Sequence, residues 1–294
     1  MTLYDAQRHS SQVFLYGGIE PGVFGLSYTA WVLWQLGYPD QALQKSEAAR
    51  TLGQELPYPF SLAGALILAA MLHQFRRERP RTQEWSEAAI TLAREQGFPQ
   101  WSGQGTILQG WALAEQGQVE EGIPRIRQGL ATCQTVENGI FRSYHIVLLA
   151  EAYGKAGRAE EGLAALAEAL TVVDKSGERF YEAELYRLKG ELSLQSGVRG
   201  PESKNPHTQH PTPSTHAEAA AEACFLKAIE IARRQQAKSL ELRAVMSLAR
   251  LWQRQGKQEE AHELLAEIYG WFTEGFGTKD LQEAEALLEE LLKT

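Results

Sequence analysis

The sequence has few of the residues that would build a cross-linked or metal-bound fold. Only two cysteines, Cys133 and Cys224, occur in 294 residues, and they lie far apart. This argues against a disulfide framework and favours two buried thiols in a reducing compartment. No His-Glu-x-x-His motif occurs, and His207, His210 and His216 share one proline-rich segment. We therefore expect no functional metal site.

Long apolar runs and an excess of basic charge are also missing. The longest apolar run, residues 65–72, is far too short to span a bilayer. Residues 1–9 are polar and lack the layout of a signal peptide. The formal net charge is −8, which argues against a nucleic-acid partner because such binders carry a strong basic patch. We expect a cytoplasmic protein that binds neither membrane nor nucleic acid.

The usual catalytic and cofactor motifs are missing as well. The string closest to a phosphate-binding P-loop surrounds Gly154 and Lys155. There, Leu149 stands where the loop needs its first glycine, and Ala156 where it needs serine or threonine. No Gly-x-Ser-x-Gly nucleophile elbow occurs. We predict no catalytic residue, no cofactor and no enzyme activity.

What the sequence does have is a repeat of 40 residues. Small side chains recur at three positions of each repeat, 0, 12 and 19 residues from its anchor. Residues 198–216 interrupt the period, which otherwise holds through six repeats. Small residues are needed where two antiparallel helices approach closely. The three series, with Thr82 and Ile268 as exceptions, are Ala30, Ala70, Gly110, Ala150, Gly190, Ala249; Ala42, Thr82, Gly122, Gly162, Ala221, Ala261; and Ala49, Ala89, Gly129, Ala169, Ala228, Ile268.

This spacing predicts an all-α fold of the tetratricopeptide type, a repeat that is usually 34 residues long. We expect a right-handed superhelix of six helical hairpins and a C-terminal capping helix, with the longer period taken up by longer second helices or longer loops between repeats. Each hairpin should turn at a residue in the left-handed conformation. Arg77 takes that place in the second repeat, and the others have Gly37, Gly117, Gly157, Gly197 and Gly256.

The register divides the chain into segments. Residues 198–216 contain four prolines and one aliphatic side chain, too little apolar surface to offset the entropy cost of ordering. First helices are predicted near 23–36, 61–76, 102–116, 141–156, 180–196 and 239–255, and second helices near 39–55, 83–96, 119–135, 159–175, 217–236 and 258–272. The predicted segments are an N-terminal cap (1–22), repeats (23–197), a disordered insertion (198–216), the remaining repeats (217–277) and a capping helix (278–294).

The chain resembles the C-terminal tetratricopeptide region of bacterial multidomain signalling proteins. The strings that carry the resemblance are AWVLWQLGYPDQAL (30–43), GWALAEQGQVEEGI (110–123), LLAEAYGKAGRAEEGL (148–163), GERFYEAELYRLKGEL (177–192), QQAKSLELRAVMSLARLWQRQGK (235–257) and IYGWFTEGF (268–276). In these proteins a class III adenylate/guanylate cyclase domain is followed by a predicted ATPase of the STAND type and then by the repeats. The resemblance implies a sensor or partner-binding arm. It transfers no catalytic residue, because this sequence contains neither catalytic domain.

First helices line the inner groove of a tetratricopeptide array, so residues beside each anchor are candidates for partner binding. Aromatic residues and arginine are over-represented at binding hot spots. The alternative is that the tryptophans pack between neighbouring helices. The residues predicted to line the groove are Trp31, Trp34, Met71, Phe75 and Trp111 in the first repeats and Arg187, Arg250 and Arg254 in the last.

The predicted function is a non-catalytic protein-interaction scaffold or sensor, the repeat arm of a signalling cyclase/ATPase system. Its partner would be a protein or an extended peptide with an apolar and an acidic part. An alternative is the sensing of a small ligand inside the superhelix, as a resemblance to the helical domain of the bacterial maltose-regulon activator implies. The oligomeric state stays open.

Overall fold

The computed structural model describes residue 18 and residues 20–135, 140–197 and 214–293. Helices account for 84% of these residues, and no strand occurs among them. Nearly all of the predicted N-terminal cap and residues 198–213 of the predicted insertion lie outside the described residues, so both stay predictions. The chain forms two compact units, Met1–Ile140 and Phe141–Thr294.

The first unit contains three helical hairpins in its described part. The first helices α1, α3 and α5 pack side by side, and each of α3 and α5 also packs on the second helix that precedes it. Proline is the first residue of four helices, where its fixed φ suits the start of a helix and its missing N–H costs nothing. The helices are α1 (Pro21–Gln35), α2 (Pro39–Glu55), α3 (Pro59–Phe75), α4 (Arg79–Gln96), α5 (Pro99–Glu115) and α6 (Val119–Thr135).

The second unit contains three further hairpins and a final helix. Its members are α7 (Arg142–Lys155), α8 (Ala159–Ser176), α9 (Glu182–Gly197), α10 (Thr215–Gln235), α11 (Lys238–Arg254), α12 (Gln258–Tyr269) and α13 (Lys279–Leu292). The first helices α7, α9 and α11 again lie side by side, and α13 packs on α11 and α12 in the place of a further first helix. Its apolar stripe, which includes Leu281, Ala284 and Leu287, is buried. The predicted capping helix is confirmed.

The three series of small residues lie where helices meet, as predicted. Every position of the three series is buried. At Gly110 an added Cβ would lie 2.8 Å from the backbone oxygen of Gly122, so α5 and α6 pack backbone against backbone. At Gly162 the nearest atom to an added Cβ would be Cδ1 of Leu192, at 2.7 Å. The register therefore describes the packing in both units. The closest atom to the added Cβ is a backbone atom at Gly110 and a side-chain atom at Gly162.

The hairpin turns follow the prediction with one exception. Gly37, Gly117, Gly157 and Gly256 have positive φ, and Arg77 adopts φ 60° in the corresponding turn. Gly197 was predicted to be a turn residue, but it is the last residue of α9. It is needed there because an added Cβ would collide with the Cβ of Ala217 at the start of α10.

The longer period comes from the helices. In the second repeat α3 has 17 residues and α4 has 18, while the connection between α4 and α5 is residues 97–98. Both helices of the repeat are therefore long, and the predicted alternative of long loops does not apply there. No helix of the described residues is both long and apolar enough to cross a membrane.

Candidate interaction site

The five predicted groove residues of the first unit are part of the core. All five are buried: Trp31, Trp34, Met71, Phe75 and Trp111. The Nε1–H of Trp31 donates to the backbone oxygen of Leu68 on α3 at 2.9 Å. Trp31 meets Phe75 edge-on with ring centroids 5.4 Å apart, and Trp34 stacks on Phe75 at 4.9 Å. Side-by-side first helices bury these side chains against each other, which is the alternative that the sequence left open.

The predicted arginines of the second unit have different environments. Arg187 on α9 is mostly buried, and its guanidinium donates to both carboxylate oxygens of Glu184 at 2.7 and 2.9 Å. Arg250 on α11 is about half exposed, with Nη2 3.6 Å from Oε2 of Glu283 on α13. Arg254, one turn further along α11, is exposed. Of the eight predicted residues, only Arg250 and Arg254 present substantial surface.

A polar network joins the first helices of the second unit. Ser247 on α11 donates to Oε1 of Glu191 on α9 at 2.9 Å, and Arg187 also pairs with Glu191. Nε of Arg243 donates to Oδ2 of Asp280 on α13 at 2.8 Å, and its Nη1 lies 3.9 Å from Oε1 of Glu184. The network therefore ties α9, α11 and α13 together through charged hydrogen bonds.

Each arginine of this network is paired with acidic side chains of the same network. Burial by itself would raise the pKa of Glu184, but Arg187 and Arg243 lower it below its ordinary value, so the carboxyl is ionised. Burial would lower the pKa of Arg243, but Asp280 and Glu184 raise it. Burial also raises the pKa of Tyr181, which stays a neutral phenol. Arg187 and Arg243 are therefore held by acidic neighbours. Arg187, which the sequence predicted to bind a partner, is already paired within the chain.

Residues Glu184, Arg243, Ser247 and Asp280 were not among the predicted site residues. Arg243 and Glu184 each lie six residues before the anchor of their repeat, well away from the positions beside the anchors that were predicted to line the groove. The sequence does contain a signal for this contact, because Glu184 and Arg243 are oppositely charged residues at the same repeat position of neighbouring first helices. Buried polar groups need partners, so such a pair predicts mutual contact.

The exposed part of this surface is small and charged. We call the side chains of Glu191, Arg250 and Arg254 the polar face; they lie on α9 and α11 beside the network. Arg250 and Arg254 are four residues apart and so share one side of α11. The described residues contain no group of three histidine, cysteine or acidic side chains arranged to hold a metal ion. Within the polar face, Glu191 is held by Arg187 and Ser247, and Arg250 faces Glu283.

Comparisons with known proteins show the class of this fold. The structure resembles a Rap protein complexed with competence and sporulation factor at a TM-score of 0.59 and 9% identity, covering 92% of this chain and 75% of that one. It also resembles aspartyl phosphate phosphatase F from Bacillus subtilis at a TM-score of 0.53 and 14% identity, covering 98% of this chain and 64% of that one. A STAND protein with a tetratricopeptide repeat sensor from Pyrococcus horikoshii matches at a TM-score of 0.51 and 12% identity, covering 92% of this chain and 38% of that one. The chain is therefore an all-α, tetratricopeptide-like helical-repeat protein.

The sequence comparisons add one distant relative. No family model matches the chain. An uncharacterized protein of Rhizobium meliloti (strain 1021) is 26% identical over 202 residues, which cover 68% of this chain. The chain spans about a fifth of that relative's length, 19%.

Proposed function

We propose that the chain is a non-catalytic protein-interaction module that binds a protein or an extended peptide through the polar face. The observation that carries the proposal is the internal pairing of the network. The pairs Glu184–Arg187 and Arg243–Asp280 hold the first helices in place, so Arg250 and Arg254 are presented from a rigid support. Charged residues on a preorganised surface contribute mainly to specificity and to the rate of association.

The setting that we propose is a multidomain bacterial signalling protein. Six strings of the sequence resemble the repeat region that follows a cyclase domain and a STAND-type ATPase module. The fold also resembles part of a STAND protein with a tetratricopeptide repeat sensor, with 38% of that chain covered, and the sequence relative is about five times longer than the matched segment. Within such a protein this chain would be the arm that contacts a partner, and the nucleotide chemistry would belong to other domains.

Charge reversal at the polar face tests the proposal. The full chain would be immobilised and used to capture proteins from a lysate of the source organism, with quantitative mass spectrometry as the readout. The double variant Arg250→Glu with Arg254→Glu should lose the partners that the wild-type chain enriches. The difference in capture between the variant and the wild type should become smaller as added salt screens the charges. A matched control, Lys45→Glu with Arg94→Glu, reverses two exposed basic residues on α2 and α4.

Two results would contradict the proposal. Capture of the same partners by both double variants would move the interaction away from the polar face. Steady hydrolysis of ATP by the pure chain, lost when a residue of the polar face is changed, would make the protein an enzyme and end the scaffold assignment.

A further inference from the structure

The two arginines of the polar face differ in what surrounds their guanidinium groups. Nη2 of Arg250 lies 3.6 Å from Oε2 of Glu283 on α13. Arg254 is exposed and forms no ion pair within the described part of the chain. The two arginines share one side of α11 and are one helical turn apart. The chain itself therefore supplies a carboxylate to one arginine of the polar face and none to the other.

Glu283 connects the polar face to the capping helix. Its carboxylate faces Arg250 through Oε2, while Oε1 lies 3.9 Å from Nζ of Lys279, one turn earlier on α13. The side chains of Arg250, Glu283 and Lys279 are all partly exposed, by 45%, 31% and 49%. An acidic group from outside the chain can therefore reach the same cations that Glu283 contacts.

The other acidic residue near these arginines is held more firmly. Glu191 accepts a hydrogen bond from Ser247 at 2.9 Å and pairs with the mostly buried Arg187. The contact between Arg250 and Glu283 is longer and lies in water. Ion pairs that are open to water contribute little to stability, so an exchange of partners costs little. Arg250–Glu283 is therefore the contact of the polar face that an incoming carboxylate can replace.

We propose that Glu283 is an intramolecular competitor for Arg250, and that the partner of the polar face carries two acidic groups one helical turn apart. The first acidic group binds Arg254, where no carboxylate has to be displaced. The second binds Arg250 and replaces the carboxylate of Glu283. This inference rests on the proposed function, because it specifies which partners the polar face accepts.

The spacing of the two acidic groups follows from α11. Side chains four residues apart on a helix have their Cβ atoms about 5–6 Å apart, and like charges at this spacing repel each other. A partner helix with acidic residues at positions i and i+4 has the same spacing and relieves the repulsion between Arg250 and Arg254. A partner with one acidic group gains Arg254 without displacing Glu283. The competitor therefore favours partners whose charges match both arginines.

Binding of a defined acidic helix to the full chain tests this inference. The probe is a synthetic alanine-rich peptide of about 20 residues, long enough to form a helix, with two glutamates four residues apart. The reference peptide has glutamine at both positions, and fluorescence anisotropy at low salt measures both affinities. Glu283→Gln should bind the acidic peptide about two- to fivefold more tightly than the wild type, because an exposed ion pair is a modest competitor. The gain should shrink as salt is added.

A matched control and a double-variant comparison separate competition from other effects. Glu285→Gln removes the same charge from the exposed side of α13 and should leave the affinity unchanged. Arg250→Gln should weaken binding of the acidic peptide more in the Glu283→Gln background than in the wild type, because Glu283 no longer occupies that arginine. Arg254→Gln should weaken binding by the same factor in both backgrounds.

The outcomes distinguish this inference from the proposed function. Equal affinity of the wild type and Glu283→Gln for the acidic peptide would overturn the competitor, as would an equal gain in Glu285→Gln. Either result leaves the polar face as the proposed binding site. If neither the wild type nor Glu283→Gln prefers the acidic peptide to the glutamine peptide, the polar face does not select acidic partners, and the inference fails with it.

Discussion

The two units place different chemistry at the same position of the repeat. The residue after each anchor is Trp31, Met71 and Trp111 in the first unit, and Glu151, Glu191 and Arg250 in the second. First helices lie side by side in both units, so this position is close to a neighbouring first helix in each. Apolar side chains there become core, whereas charged ones pair and leave part of their surface in water. The register shows where a side chain lies, and its chemistry decides whether a partner can reach it.

The largest effect should come from removing the aromatic residues of the first unit. Trp31→Ala with Trp111→Ala deletes two buried indoles, and each deletion should cost about 3–5 kcal/mol of unfolding free energy. Urea denaturation followed by circular dichroism measures this loss. Val32→Ala, at an exposed position of the same helix, should cost less than about 0.5 kcal/mol. A double tryptophan variant as stable as the wild type would place these side chains outside the core.

Breaking one buried ion pair should have the next largest effect. Arg243→Met removes the guanidinium that pairs with the buried Asp280, while Glu184 keeps Arg187, and should cost about 3–5 kcal/mol. The double variant Arg243→Met with Asp280→Leu removes both charges and should recover much of that loss, as apolar replacement of buried pairs often does. Thermal unfolding of the single and double variants measures the difference. Equal destabilisation by both would show that the network stabilises the unit more than apolar packing can.

Acid should weaken the second unit through His145. Burial, with a smaller effect of Arg142, lowers the pKa of this imidazole to about 3, and its Nε2 has no hydrogen-bond partner within the described structure. The unfolded chain binds a proton near the ordinary pKa of about 6.5, whereas the folded chain does not. Stability should therefore be full above that pH and fall by up to about 1.4 kcal/mol per pH unit below it.

The variant His145→Leu tests this pH dependence. Denaturation between pH 7 and pH 5 should show a smaller slope in the variant than in the wild type, by about one proton. This window lies above the range in which the lowered pKa of Glu184 becomes important. Identical slopes would mean that His145 is protonated in the folded protein.

The smallest effect sharpens the contrast between backbone and side-chain packing. Gly110→Ala in the first unit pushes a methyl group against backbone atoms of α6 and should cost about 1–3 kcal/mol. The added methyl group of Gly162→Ala in the second unit would lie 2.7 Å from the end of the Leu192 side chain, which can move, and 3.2 Å from the backbone oxygen of Ala150. Alanine also favours the helix by about 1 kcal/mol. Its net effect should be within about 1 kcal/mol of zero. Thermal unfolding measures both, and a reversed order would contradict the assigned contacts.

The helices and their register were predictable because both follow from local patterns. Small residues at three fixed positions located the helix contacts, and positive φ at Gly37 and Arg77 followed from the turn positions. The first residues of helices were less accurate: α10 begins at Thr215, two residues before the predicted start. The sequence left two possibilities open for Trp31 and Trp111, because their burial depends on how closely neighbouring first helices approach. The pairing of Arg187 with Glu184 depends equally on three-dimensional distance.

The order of the hairpins has a consequence for how fast the protein folds. Within each unit, the helices that pack extensively are adjacent in sequence or separated by a single helix. Contacts between residues close in sequence require little loop closure, and helical proteins with such contacts fold in microseconds to milliseconds. The pair α9 and α10 requires the most loop closure, because the connection between them is the longest between neighbouring helices. Because loop-closure entropy grows only with the logarithm of loop length, even this hairpin should close with a small delay.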